Sequence, residues 1–237
     1  MTQDWLFDFG NTRLKCAPRN GTARVGEVRA LAPDAFADVP SGGVAYLASV
    51  APEAARVRLL DALTSRFSRI AIARTLPRFG RLRIAYAHPH KLGVDRFLAM
   101  SGAEDAWPAL VVGVGTALTL DLVDGEGLHR GGRIAPSPTL MREALHARAP
   151  HLAPSGGAFV EFADDTEDAL ASGCEGVARA LIERSLERAA SLLGTRPHVL
   201  LHGGGVEALA IEGTQRPSLV LEGLARWAAL EHPEHAA

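Results

Sequence analysis

Trp5-Leu6-Phe7-Asp8-Phe9-Gly10-Asn11-Thr12-Arg13-Leu14-Lys15-Cys16-Ala17 is the stretch on which the fold turns. Trp5 to Asp8 reads as an apolar strand that ends at Gly10-Asn11-Thr12. Arg13 to Ala17 reads as the returning strand, stopped by Pro18-Arg19-Asn20-Gly21. Glycine and asparagine supply turn chemistry between two strand-like runs, so the segment predicts a β-hairpin. A second stretch opens in the same way. Ala109-Leu-Val-Val-Gly113 is a continuous apolar run of buried-strand type, Gly113-Val-Gly115-Thr-Ala117 turns, and Thr116 to Asp121 returns. Two halves that open alike suggest a duplicated domain with one glycine turn in each half.

Around these hairpins, strands alternate with helices. In the first half, Val44–Val50, Ile70–Ile72 and Leu82–Tyr86 are strand-like, while Pro52 to about Arg66 and Asp95 to about Ala103 are helical. In the second, Thr139–Ala149 and Glu167–Leu193 are helical, the latter with an expected break near Gly173 to Gly176. His198–His202 is a strand running into Gly203-Gly204-Gly205, and a last helix is expected over Glu222–Glu231. The pattern predicts an α/β fold with mixed sheets flanked by helices, in two domains, 1–106 and 107–237.

Composition narrows the function. The chain has 237 residues, a formal charge of -2, 47% apolar and 22% charged residues, which fits a globular protein and no disordered or fibrous class. The near-neutral balance argues against a nucleic-acid binder, whose affinity needs clustered Lys and Arg. Two distant cysteines, Cys16 and Cys174, form no disulfide framework or cysteine-rich zinc site and suit a reducing cytoplasm. Met1 to Trp5 carries no basic and apolar leader pattern, so no signal peptide is expected. The longest apolar runs fall short of about 18 residues, so no membrane span is expected either.

Asp8-x-Gly10-Asn11-Thr12-x-x-Lys15 is the densest polar constellation. Glycine lets backbone N–H groups approach a phosphate, and Asn11 and Thr12 add donors. Asp8, at a strand end, is a candidate for a hydrated Mg²⁺, and Lys15 for phosphate charge. Read alone, the same residues also make an ordinary hairpin with a charged rim. Gly113-Val-Gly115-Thr-Ala-Leu118 lacks the third glycine of a dinucleotide fingerprint, and a second phosphate turn with Thr116 as donor fits better. Asp95-Arg96 at a helix start reads as a cap with a surface ion pair, or as a carboxylate that accepts a hydroxyl proton beside an arginine that binds an anion. His88-Pro89-His90 resembles a metal pair only superficially, and the other histidines read as exposed or capping. Arg74 to Arg83 is a basic loop. Lys15 and Lys91 are the two lysines of the chain, and both flank these elements.

With these pieces assembled, the chain resembles the type III pantothenate kinases, of the acetate kinase/sugar kinase/Hsp70/actin superfamily. The resemblance rests on Asp8 to Lys15, on Tyr86 seven residues before Gly93-Val94-Asp95-Arg96, and on Gly115-Thr-Ala-Leu-Thr-Leu-Asp121. It continues through Gly131-Gly-Arg-Ile134, Thr166-x-x-Ala169-x-x-Ser172-Gly173 and Gly203-Gly204. It implies two actin-like (ribonuclease H-like) domains with ATP in an interdomain cleft, a homodimer, and phosphorylation of pantothenate on its 4′-hydroxyl, the first step towards coenzyme A. It implies Asp95 as catalytic base and Asp8, Gly10, Asn11, Thr12 and Lys15 as the first phosphate loop. Gly115, Thr116, Gly203 and Gly204 become further ATP contacts, and Tyr86, Gly93, Val94, Arg96 and Thr166 pantothenate contacts, with Thr166 reaching the neighbouring subunit's site. Mg²⁺ at Asp8, held through water, and a monovalent cation, potassium or ammonium, are the implied ions. The chain departs from the family in three places. The usual Asp ligand of the monovalent cation is Gly113, the Pro-Gly after Gly-Gly-x-Ile is Pro136-Ser137, and the acidic residue after the third glycine pair is Gly205. The competing readings are a non-catalytic nucleotide-binding regulator on the same fold and a related kinase acting on a sugar or short acid.

Overall fold

The computed structural model describes residues 2–21 and 23–231. In chain order the strands and helices are β1 (Trp5–Phe9), β2 (Leu14–Asn20), β3 (Arg24–Val25), β4 (Arg29–Leu31), β5 (Gly42–Ser49), α1 (Glu53–Thr64), β6 (Phe67–Ile72), β7 (Arg78–Phe79), β8 (Leu82–Arg83) and α2 (Val94–Gly102). There follow β9 (Ala109–Val114), β10 (Ala117–Val123), β11 (His129–Pro136), α3 (Pro138–Arg148), α4 (Thr166–Leu193), β12 (His198–His202), α5 (Val206–Leu209), β13 (Thr214–Gln215) and α6 (Leu219–Glu231). Two compact units result. Of the described residues, the first takes 2–105, apart from 22, and again 218–231, and the second takes Ala106–Pro217.

In the first unit β1 pairs antiparallel with β2 and parallel with β5, and β5 continues parallel to β6. The sheet order is β3-β2-β1-β5-β6, with β4 also on β2. Strand alternation sends Trp5, Phe7 and Phe9 to one face. There they join Leu14, Leu47, Leu59, Leu63 and Phe67 in a buried cluster closed by α1. Phe7 meets Phe67 edge-on at 5.6 Å between ring centroids. Each such side chain contributes about 1.5–3 kcal/mol by leaving water, which is why the apolar run at Trp5 settles as a central strand.

The second unit repeats the scheme. β9 pairs antiparallel with β10 and parallel with β12, giving the order β11-β10-β9-β12-β13. Leu110, Val112, Val114, Leu118, Leu120 and Leu122 cluster with Ala178, Ile182 and Ala189 of α4. The likeness expected from the two openings is therefore real at the level of topology. Each unit starts with a hairpin whose first strand takes a parallel partner on its other side.

Three expectations are corrected. The sequence places 218–237 with the second half, whereas α6 packs against α2, β1 and β5 of the first unit. The approach of α2 and α6 is close. A Cβ on Gly102 would run into the Leu219 carbonyl, and one on Gly223 into the Leu98 carbonyl. Arg226 also bonds Glu104. The last helix begins at Leu219, because Leu219, Val220 and Leu221 are buried as its first turn. Finally, α4 runs unbroken from Thr166 to Leu193. The buried stripe Ala171, Cys174, Ala178, Ile182, Ser185 and Ala189 keeps helical spacing through Gly173 and Gly176, so the glycines are carried by tertiary packing.

Candidate functional site

The site in the first unit is built on β1, β2 and the start of α2. Asp8 and Lys15 are direct cross-strand partners, so both side chains rise from the same sheet face. The Gly10 N–H donates to the Arg13 carbonyl at 3.1 Å and closes the turn. Asn11 and Thr12 are exposed on its rim. A Cβ on Gly10 would approach only the Arg13 oxygen, at 3.8 Å. Its glycine therefore serves the openness of the backbone rather than tight packing.

Gly93 precedes the first turn of α2 and carries no side-chain cap. Asp95 lies in that turn, where the positive helix end favours negative charge. Its Oδ1 accepts the backbone N–H of Arg96 at 2.8 Å. The carboxylate folds back over Gly93, where a Cβ would lie 2.5 Å from Oδ1. Arg96 is buried, and its guanidinium donates to the Tyr86 hydroxyl at 3.3 Å. The loop that brings Tyr86 there is tied down by the Thr75 hydroxyl donating to the Leu92 carbonyl at 2.8 Å, and Phe79 stacks edge-on against Phe97 of α2 at 5.8 Å. Val94 is half-buried in the same turn.

The electrostatics join these two pieces. Burial pushes the Asp8 carboxyl up to about 6; Lys15 pulls it down, and the Asp95 carboxylate pushes it further up. Two carboxylates and an ammonium thus share one field, a setting suited to a divalent cation with phosphate. Among the described residues no group of three or more His, Cys, Asp or Glu side chains is arranged to hold a metal. Mg²⁺ fits that sparse supply, since it keeps its waters and takes one or two carboxylates together with substrate phosphates. A pH effect follows. The folded pKa of Asp8 lies above the value near 4 of an unfolded chain, so between about 4 and 6 the native state binds the extra proton, and ionising Asp8 costs stability as pH rises. In ligand-free thermal melts, Asp8→Asn is expected to gain on the wild type as pH rises from about 4 to 6, then to run parallel above it. A pH-independent difference would contradict this electrostatic picture.

In the second unit the Gly115-Thr116 turn is exposed, and the Gly115 N–H donates to the Ala117 carbonyl at 3.0 Å. Gly203 has φ +101° and packs its α-carbon against the Val114 carbonyl, where a side chain would clash. The Gly205 N–H donates to that carbonyl at 3.1 Å. Gly203-Gly204-Gly205 and Gly115-Thr116 are thereby brought together at the end of β9. Thr166 is exposed as the first residue of α4, which Asp165 caps by accepting from Glu167 and Asp168 N–H at 2.8 and 3.0 Å. It lies in the second unit, whereas Tyr86, Gly93 and Arg96 lie in the first.

Sequence reasoning overlooked two histidines. His129 is buried, its Nε2 3.0 Å from Asp121 Oδ1, where exposed or capping roles were expected. His202 sits against Gly113. The departure at Gly113 was the available signal for the second. Both cysteines are buried and free, with burial pushing each thiol up.

The sequence profile described as type III pantothenate kinase matches residues 5–188. The chain belongs to the type III pantothenate kinase family. It is 54% identical over 236 residues to the type III pantothenate kinase of Stenotrophomonas maltophilia (strain K279a), covering 95% of this chain and 97% of that one. With that of Xanthomonas campestris pv. campestris (strain B100) it shares 53% over 235 residues, with 95% and 97% coverage. Among solved structures, a conserved Baf family protein from Campylobacter jejuni superposes with TM-score 0.67 at 21% identity, covering 97% of this chain and 99% of that one. The activator of 2-hydroxyisocaproyl-CoA dehydratase from Clostridium difficile, solved with bound ADPNP, gives TM-score 0.54 at 12% identity, with 98% and 96% coverage. These two likenesses establish the actin-like α/β fold of this family member. No described helix is long and apolar enough to cross a membrane.

Proposed function

We propose that this member of the type III pantothenate kinase family transfers the γ-phosphoryl group of ATP to the 4′-hydroxyl of pantothenate, the first step of coenzyme A synthesis, in the cytoplasm. The observation that carries the reading is the first turn of α2. It sets a carboxylate at Asp95 within the field of Asp8 and Lys15, and buries a guanidinium at Arg96 under the Tyr86 hydroxyl.

Phosphoryl transfer has a loose transition state, so positioning and charge neutralisation supply most of the catalysis. Asp95 orients the hydroxyl and accepts its proton. Its place is held by the Arg96 N–H at one oxygen and by the empty space over Gly93. Arg96 binds the pantothenate carboxylate through a planar fork of donors that Lys cannot reproduce, with Tyr86, Gly93 and Val94 lining the same turn. Lys15, with the N–H groups of the Gly10-Asn11-Thr12 turn, holds phosphate oxygens. Gly115, Thr116, Gly203 and Gly204 supply backbone and hydroxyl donors for the nucleotide. Asp8 would hold Mg²⁺ through water, and the ion would supply neutralisation of phosphate charge; Asp8, which burial holds partly protonated, would ionise to do so.

The functional unit is a homodimer in this reading, with Thr166 serving the neighbouring subunit. An apolar cavity of about 630 Å³ in the second unit supports it, lined by Leu140, Met141 and Leu145 of α3 and Leu170, Cys174 and Val177 of α4. Leu145 and Val177 of that lining are exposed, at 43% and 57%, as apolar residues at a partner-facing surface are.

The deciding experiment is a coupled assay with Mg-ATP and pantothenate, sugars and short hydroxy acids as rival acceptors. Phosphopantothenate is the expected product, with pantothenate preferred over every rival. ATP binding without any product would leave a non-catalytic nucleotide-binding regulator. A preferred sugar would make the chain a kinase of another substrate.

A further inference from the structure

The second glycine turn stands on a polar rung that the mechanism above leaves unused. Gly113 of β9 pairs with Thr119 of β10 and with His202 of β12. Directly paired residues share a sheet face, so the Thr119 and His202 side chains flank an empty position. A Cβ on Gly113 would lie 2.7 Å from Thr119 Oγ1, 2.8 Å from His202 Nε2 and 2.9 Å from His202 Cε1. The imidazole thus occupies the room of any side chain at 113. A side chain at 113 would require both the Thr119 hydroxyl and the His202 ring to leave the places they hold, so the glycine and the histidine form one arrangement.

The location gives the rung its meaning. Gly113 is two residues before Gly115, and His202 immediately precedes Gly203. The Gly203–Gly205 turn closes on Val114, the residue between Gly113 and Gly115, through the Gly205 N–H and the close approach of Gly203. His202 is half-buried at the root of the two turns assigned to the nucleotide.

We propose that His202 is a positioning residue for the nucleotide phosphates and stands in for a monovalent cation, so that this chain binds Mg-ATP without potassium. The inference rests on the kinase reading for its ligand. Its physics is charge balance. A carboxylate beside a polyphosphate adds like charge and needs a bound cation to bridge it. An imidazole is itself a donor, and in its protonated form a cation, so it faces phosphate oxygen without a counter-ion. Gly113 offers no carboxylate, and the ring fills the space in which one would stand. The residues present therefore do not fit the potassium site that the family resemblance implies.

The test is equilibrium binding of Mg-ATP to the full chain, in potassium and in tetramethylammonium salts of equal ionic strength. The wild type is expected to bind equally well in both. His202→Ala is expected to weaken binding about 10–100-fold, the loss of one hydrogen bond to a charged group, with the melting temperature and pantothenate affinity kept. His202→Gln, which retains a donor at similar reach, recovers most of that loss. The double variant Gly113→Asp/His202→Ala, in which the ring is gone and only the Thr119 hydroxyl has to turn aside for the carboxylate, is expected to bind only with potassium present. Potassium-dependent binding by the wild type overturns the proposal, and so does normal binding by folded His202→Ala. The wild-type comparison needs no variant and decides the matter even where a substitution fails to fold. Pantothenate turnover is not read here, so a failed kinase assay sinks the functional reading and leaves this test standing.

Discussion

Replacing Asp95 with Asn is expected to keep Mg-ATP and pantothenate binding and to lower kcat by about 10²–10⁴-fold, the range of a general base. Asn keeps the shape and the oxygen that accepts the Arg96 N–H, an anchor of 2.8 Å in the wild type. What it loses is the capacity to take a proton and the charge that raises Asp8. The companion variant Gly93→Ala leaves Asp95 chemically intact but sets a methyl 2.5 Å from the position of Oδ1. The clash is with a side-chain end, which can swing away, so stability changes little. The carboxylate is displaced by about 1 Å or more, and kcat is expected to fall about 10²-fold. Steady-state kinetics with separate binding titrations check both. Near-normal turnover in Asp95→Asn would remove it from the mechanism, and near-normal turnover in Gly93→Ala would show that its placement is not critical.

Gly223→Ala is the second large effect, and it acts on folding. Ala gains about 1 kcal/mol over Gly inside a helix. Here that gain is overwhelmed, because the new Cβ would overlap the Leu98 carbonyl, and backbone cannot move aside as a side chain can. Overpacking of this kind costs about 3 kcal/mol or more, equivalent to a melting temperature lower by about 6–12 °C in a chain of this size. Turnover should fall with it, since α2 carries Asp95 and Arg96 at its other end. Gly102→Ala is expected to behave alike, through the Leu219 carbonyl. An unchanged melting curve would mean that α2 and α6 cross less closely than described.

These two cases divide what was legible in the sequence from what was not. The hairpin at Asp8 was legible because its information is local: two apolar runs, a Gly-Asn-Thr turn and a seven-residue spacing that puts Asp8 opposite Lys15. Asp95 was legible as a helix-start carboxylate for the same reason. The placement of α6 was not. An apolar helical stripe records that a face is buried and leaves the burying partner unnamed, so the nearer half was the natural choice. The continuity of α4 was missed because two glycines lower local propensity, while the packing that overrides them comes from distant chain.

What the sequence by itself determined was the class of the fold and the chemistry of single loops: a duplicated α/β chain, two glycine turns, and a carboxylate and an arginine side by side. Only the tertiary structure decided which of these meet. It put Arg96 under the Tyr86 hydroxyl, the Asp95 charge in the field of Asp8, α6 across α2, and His202 over Gly113. The physical reason is range. Turn preference and strand or helix period act over a few neighbouring residues, whereas contacts between residues tens of positions apart are set by the summed burial and steric fit of whole elements.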